Sequence, residues 1–234
     1  MSSPNKNFYD EYLKGKLLCL YGFVGVTLSL ISIVIAVFLS PGYNWVYDTV
    51  SSLGYGPAKS FFSIGMVIGG CLAIPFFIYF DNEVLKKLDY VKDGRLFKIS
   101  RPIRGLATAL AILMSLCIAL VGILPDENYP ALFIGFHIAV AFISFVGTGI
   151  YILFFSILLF KQQIYENTKF PKLHPYLGFL IVGCIILMFA LSFTPIFAMG
   201  EWITTISLFV WILITSSILI FNKKIRHNLA NVQK

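Results

Sequence analysis

The sequence predicts an all-α polytopic integral membrane protein with six transmembrane helices in one bundle and both termini in the cytoplasm. Three observations carry this. Six long apolar runs divide the chain, at Leu17–Leu39, Phe61–Phe80, Gly105–Leu124, Ala131–Phe160, Tyr176–Met199 and Trp202–Phe221. Charged residues make up 12% of the 234 residues and hydrophobic ones 58%, with a mean hydropathy of +0.85, whereas soluble domains carry roughly 25% charge. Seventeen of the eighteen Lys and Arg residues fall in every second gap between the runs.

Each run is long enough to cross a hydrocarbon core about 30 Å thick, which takes about 20 residues. In lipid every backbone N–H and C=O needs a partner within the chain, so the runs are expected as helices. The short alternating segments of a membrane barrel are absent from the sequence. The tail 1–16 carries Lys6, Lys14 and Lys16. The apolar run after it exceeds the length of a signal-peptide core and ends in Phe38-Leu39-Ser40-Pro41, so it reads as an anchor that stays. Residues 17–222 form the membrane domain, and 223–234 form a basic tail.

The gap Asp81–Arg104 holds seven bases, the gap Lys161–Pro175 holds three, and the end of the chain holds four. Cytoplasmic segments are enriched in Lys and Arg, so these gaps face the cytoplasm of a cell membrane and attract anionic lipid headgroups. No gap is long enough for a basic folded domain, which argues against a nucleic-acid partner. Asp81, Glu83, Asp89 and Asp93 suit a short solvated helix in the first of these loops. Cys19, Cys71, Cys117 and Cys184 lie within runs, with no CxxC pair, and read as apolar packing residues.

The outward connections are Ser40–Ser60, Pro125–Pro130 and the pair Gly200-Glu201, which is barely a turn. Tyr43, Trp45, Tyr47, Tyr55, Tyr129 and Trp202 gather there, as an interfacial aromatic belt would. Within Trp45–Leu53, Val46, Val50 and Leu53 recur at helical spacing, which predicts a short interfacial helix. Small or polar stripes run along the third span (Thr108, Ala111, Ser115, Ala119, Gly122) and the fourth (His137, Ala141, Ser144, Thr148, Tyr151). Gly65, Gly69 and Ala73 mark the second. Small residues allow close helix approach in lipid, so these stripes face the bundle interior. Pro75 and Pro195 predict kinks within spans.

Setting the cytoplasmic charges aside leaves a compact polar set: Asp48, Asp126, Glu127, Glu201 and His137, with Lys59 as the lone base. His137 lies about 10 Å deep at 1.5 Å per residue, where an ionisable group is either functional or bonded to a neighbouring helix. Glu201 can favour the dipole of the helix it opens, and Asp48 can accept a backbone N–H in its own loop. Together Asp48, Asp126, His137 and Glu201 are ligand types suited to a divalent metal such as Zn, Mn or Ca. The same groups, with Ser51 or Ser52, could share acid–base work. His174 and His227 fall in cytoplasmic segments and are expected to be solvated.

Ser40-Pro41-Gly42-Tyr43-Asn44 followed by Asp48-Thr49-Val50-Ser51-Ser52-Leu53-Gly54 resembles the first outer loop of a prokaryotic membrane family catalogued as domain of unknown function nine-nine-eight. Gly122-Ile123-Leu124-Pro125-Asp126, His137 and Gly200-Glu201 are similar to further marks of that family. A more distant resemblance is to the damage-regulated autophagy modulator family, six-span proteins with an Ile-Ser-x-x-Gly loop and a His in the fourth span. Those proteins usually carry an acidic residue where this chain has Ser52. The resemblance implies the six-span fold and a link to lipid handling. Three functions follow as expectations. One is a lipid-interacting or membrane-organising protein with its polar site at the outer mouth. Another is an intramembrane hydrolase or lipid-modifying enzyme at that site, with Asp48, Ser51, Asp126, His137 and Glu201 as catalytic candidates. The last is a transporter, against which count the lack of midplane charge and of clear inverted repeats.

Overall fold

In the computed structural model the described residues are 4–86, 94–124, 131–160 and 170–221. They form six helices: α1 (Pro4–Phe38), α2 (Lys59–Lys86), α3 (Gly94–Ile123), α4 (Ala131–Phe160), α5 (His174–Ala190) and α6 (Phe197–Phe221). No strand occurs among the described residues. All but α5 contain a stretch long and apolar enough to cross a membrane; α5 has 17 residues. Large apolar side chains such as Ile31, Leu113, Ile138, Ile150 and Ile186 point outward on several different helices. A bundle that turns Ile and Leu outward on so many sides suits a surrounding lipid solvent rather than water. The chain is therefore a helical membrane protein.

Each helix packs on the next, and α6 packs back on α1, so the main contacts close a ring. The stripes read from the sequence line its joints. Ala111, Ser115, Ala119 and Gly122 of α3 are buried, as are His137, Ser144, Thr148 and Tyr151 of α4. Between α1 and α2 the Ser29 hydroxyl lies 2.8 Å from the Gly65 carbonyl. Between α2 and α3 a Cβ on Gly70 would come within 2.6 Å of the Ser115 carbonyl oxygen and 2.8 Å of the Ala119 nitrogen. Only glycine permits that approach of two backbones.

Three expectations need correction. The last two helices do not meet at Gly200-Glu201. Helix α5 ends at Ala190, residues 191–196 make a chain of turns, and Gly200 and Glu201 lie within α6. Pro195 decides this: it has no N–H to donate and breaks a helix interior, so it occupies the turn instead of kinking a span. Pro75, in contrast, does sit inside α2. The expected helix Trp45–Leu53 is also shorter, a single 3₁₀ turn at Ser51–Gly54. Of the predicted apolar anchors, Val50 just before the turn and Leu53 within it are buried, while Val46 upstream is half-buried. Upstream, Ser40-Pro41-Gly42-Tyr43 folds as a tight turn closed by the Tyr43 N–H on the Ser40 carbonyl. Gly42 takes a φ of 79°, which the third position of a type II turn requires. Lastly, Asp81 and His174 are not solvated loop residues; both are buried in the bundle.

Candidate functional site

The loop 40–58 folds down over one end of the ring. Its anchors are set by α6. The Glu201 carboxylate accepts the Ser51 N–H at 3.2 Å. One residue on, the Trp202 indole N–H lies 3.1 Å from the Tyr43 hydroxyl and 3.2 Å from the Asp48 carbonyl. Tyr43 in turn donates to the Thr49 carbonyl at 2.7 Å and meets the Trp202 ring edge-on at 6.1 Å. Burial raises the Tyr43 hydroxyl above its ordinary pKa, so it stays protonated and keeps donating. Tyr43 and Trp202 are thus a latch, while Trp45, Tyr47 and Tyr55 are exposed, as a belt would be.

Of the predicted candidates, Ser51 and Glu201 come together, while Asp48 and His137 are each engaged by backbone groups elsewhere. The Asp48 carboxylate accepts the Asn44 N–H at 2.7 Å and closes its own loop. His137 is 3% exposed, and its Nδ1 meets the Leu124 carbonyl. A carbonyl only accepts, so Nδ1 carries the proton and ties α4 to the end of α3, whose last carbonyls lack helical partners. Ser51 Oγ donates to Thr49 Oγ1 at 3.2 Å, and Ser52 Oγ to the Thr49 carbonyl at 2.7 Å. Asp126 and Glu127 lie outside the described residues. Among the described residues no group of three or more His, Cys, Asp and Glu side chains could hold a metal ion. Asp48, His137 and Glu201 therefore form no shared metal centre among themselves.

Glu201 does reach a different site. Beneath the loop lies a chamber of about 70 Å³ inside the ring. Its walls are apolar, with Phe62 and Phe77 from α2, Val121 from α3, Phe145 from α4, and Phe209 and Ile212 from α6. Glu201 and Ser51 line it as well, and Ser144, Thr148 and Thr205 add hydroxyls. A mainly apolar pocket with a few convergent polar groups is the usual form of a ligand site.

Past the chamber the axis is filled by aromatic rings. Phe77 and Tyr151 meet at 5.0 Å, Tyr151 and Phe155 at 4.7 Å, and Phe80 and Trp211 at 5.8 Å. Behind this plug sits a second polar centre that sequence reasoning missed. Asp81 is fully buried and accepts a hydrogen bond from the Tyr151 hydroxyl. His174, 3% exposed, stands 5.8 Å from Trp211 and 5.0 Å from Phe170, ring to ring. Thr215 gives its only proton to the Trp211 carbonyl at 2.7 Å. Its oxygen therefore accepts from His174 Nε2–H at 2.9 Å, which fixes the tautomer. His174 opens α5 ahead of its apolar stretch. A signal existed: Thr215-Ser216 interrupts an otherwise apolar run, and Asp81 directly follows Phe76-Phe77-Ile78-Tyr79-Phe80.

Compared with family models, curated proteins and solved structures, the chain matches none.

Proposed function

We propose that this protein is a lipid-interacting membrane protein that seats part of a membrane amphiphile in the chamber under the loop 40–58. The carrying observation is an apolar chamber within a helix ring, with a buried carboxylate, Glu201, in its wall. The surroundings of such a ring are lipid, so the apolar wall selects a lipid chain and the Glu201 end selects its polar head. At about 70 Å³ the space is smaller than the ~150 Å³ cavities that take a benzene-sized ligand. Entry of more than a short segment requires the loop to move. The separate engagement of Asp48 and His137 by backbone groups gives the hydrolase and transporter readings no added support.

A long-chain alcohol carrying a photoreactive group on its chain tests this. Crosslinks are expected at Phe145 and Leu208, and Ala141→Phe, which fills the chamber from α4, should abolish them at unchanged expression. Labelling confined to outward-facing residues such as Ile138 and Ile150 would sink the reading.

Orientation belongs to the same reading. Six crossings with cytoplasmic termini are supported by the charge sorting, and they put the loop 40–58 outside and the basic segments against anionic lipid. A membrane-impermeant thiol reagent on intact cells should label Lys59→Cys and spare Lys224→Cys; the reverse pattern inverts the topology. The same reading takes the loop sequence as a mark of the nine-nine-eight family.

A further inference from the structure

Apart from the Thr205 hydroxyl, which keeps its proton to give, the chamber's polar side chains share one chemical property: they accept. Ser144 Oγ has given its proton to the Ala141 carbonyl at 2.8 Å, and Thr148 Oγ1 to the Ser144 carbonyl at 2.6 Å. Ser51 Oγ donates to Thr49 Oγ1, and the Ser51 N–H is held by Glu201. What these groups turn to a guest is lone pairs, joined by the carboxylate of Glu201. No Lys, Arg or His lines the chamber among the described residues. A phosphate or carboxylate head brings only acceptors and negative charge at neutral pH, and beside a buried carboxylate it meets like charge in a low dielectric. A hydroxyl or ammonium head brings the missing donors, and the ammonium adds an opposite charge. The small volume admits no more than a short segment of one chain unless the loop moves.

From this lining of mostly acceptors around a carboxylate, with no base among the described residues, we infer that the guest is a single-chain amphiphile with a neutral or cationic donor head, a long-chain alcohol or primary amine, and that anionic lipids are rejected. The inference rests on the chamber reading above. In it, the head group takes the place of the Ser51 N–H at Glu201, so binding and loosening of the loop are one event.

The test uses the whole protein in phosphatidylcholine nanodiscs and four amphiphiles of equal chain length: alcohol, primary amine, carboxylate and alkyl phosphate. Competition against the photoreactive alcohol gives relative affinities. The alcohol and amine are expected to compete at least tenfold better than the carboxylate and phosphate. Glu201→Gln should erase the amine's advantage over the alcohol while the alcohol still competes. Thr148→Val removes one acceptor and should weaken the alcohol severalfold, an independent check should Glu201→Gln not fold. An alkyl phosphate that competes as well as the amine overturns the donor class and leaves the chamber standing. Failure of all four to compete, together with absent chamber crosslinks, overturns the chamber itself.

Discussion

Tyr151→Phe is expected to destabilise the bundle by about 2 to 3 kcal/mol, at the upper end for the loss of one hydrogen bond to a charged group. The size follows from where the bond lies. Asp81 is fully buried beside Phe80, and Tyr151 is 1% exposed within the aromatic plug. Removing the phenolic hydroxyl keeps the ring contacts with Phe77 and Phe155 and takes away the proton that Asp81 accepts. No water can replace it without opening the plug, so a buried carboxylate bears the desolvation cost. Asp81→Asn should cost less, because the amide oxygen still accepts from Tyr151. Asp81→Leu combined with Tyr151→Phe should recover much of the single-variant loss, since replacing both partners removes the unmet demand along with the bond. Thermal unfolding of the parent, the Asp81→Leu and Tyr151→Phe single variants and the double variant closes the double-mutant cycle. A coupling near zero would show that Asp81 is held by its other surroundings and that the hydroxyl contributes little.

The reason this centre escaped sequence reasoning is physical. Asp81 stands where apolar residues give way to the charged stretch 81–104. A one-dimensional charge pattern assigns such a residue to water. Helix α2 instead runs on to Lys86 and carries Asp81 inward, a tertiary outcome with no local period. His174 precedes Pro175 and reads as loop, yet its ring docks on Thr215, 41 residues away. Five of the apolar runs were legible as helices long enough to cross a membrane, because lipid imposes both length and apolarity on a spanning helix. The inward stripes of α3 and α4 were legible because close packing in lipid demands small side chains at helical spacing. At α5 the length rule misled: the apolar run continues through Met199, but Pro195 stops the helix early. Of the polar candidates, Glu201 was found as a carboxylate on an outward connection. Its role was not readable, because it depends on a loop 150 residues earlier folding onto it.

Trp202→Ala is expected to release the loop 40–58 while the ring stays folded. The indole donates to the Tyr43 hydroxyl and Asp48 carbonyl and packs edge-on against Tyr43, so both the hydrogen bond and the ring contact vanish. A half-buried Trp cut to Ala forfeits about 2 to 3 kcal/mol, below the 3–5 typical of fully buried aromatics. At 1.4 kcal/mol per factor of ten, that raises the open population of the loop roughly 30- to 140-fold. Trp202→Phe keeps much of the ring and loses only the N–H, so about 1 kcal/mol, near fivefold, is expected. The reporter is Ser51→Cys, since position 51 lines the chamber and is bonded to Glu201 through its backbone N–H, which the substitution leaves in place. Cys71, exposed on α2, is replaced by Ala in the background. Reaction of the introduced thiol with a small thiol reagent should be slowest with Trp202 intact, faster with Trp202→Phe and fastest with Trp202→Ala. The unfolding temperature should fall less than a global loss of the same size implies, because the helix-to-helix contacts of α6 with α1 and α5 remain. Glu201→Ala adds a second, separable effect, since it frees the Ser51 N–H and removes the acceptor that the amphiphile's head would use. Labelling that is equally slow in all three proteins would show that the loop is held by its buried anchors, Val50, Leu53 and Ala58, and not by the latch on α6.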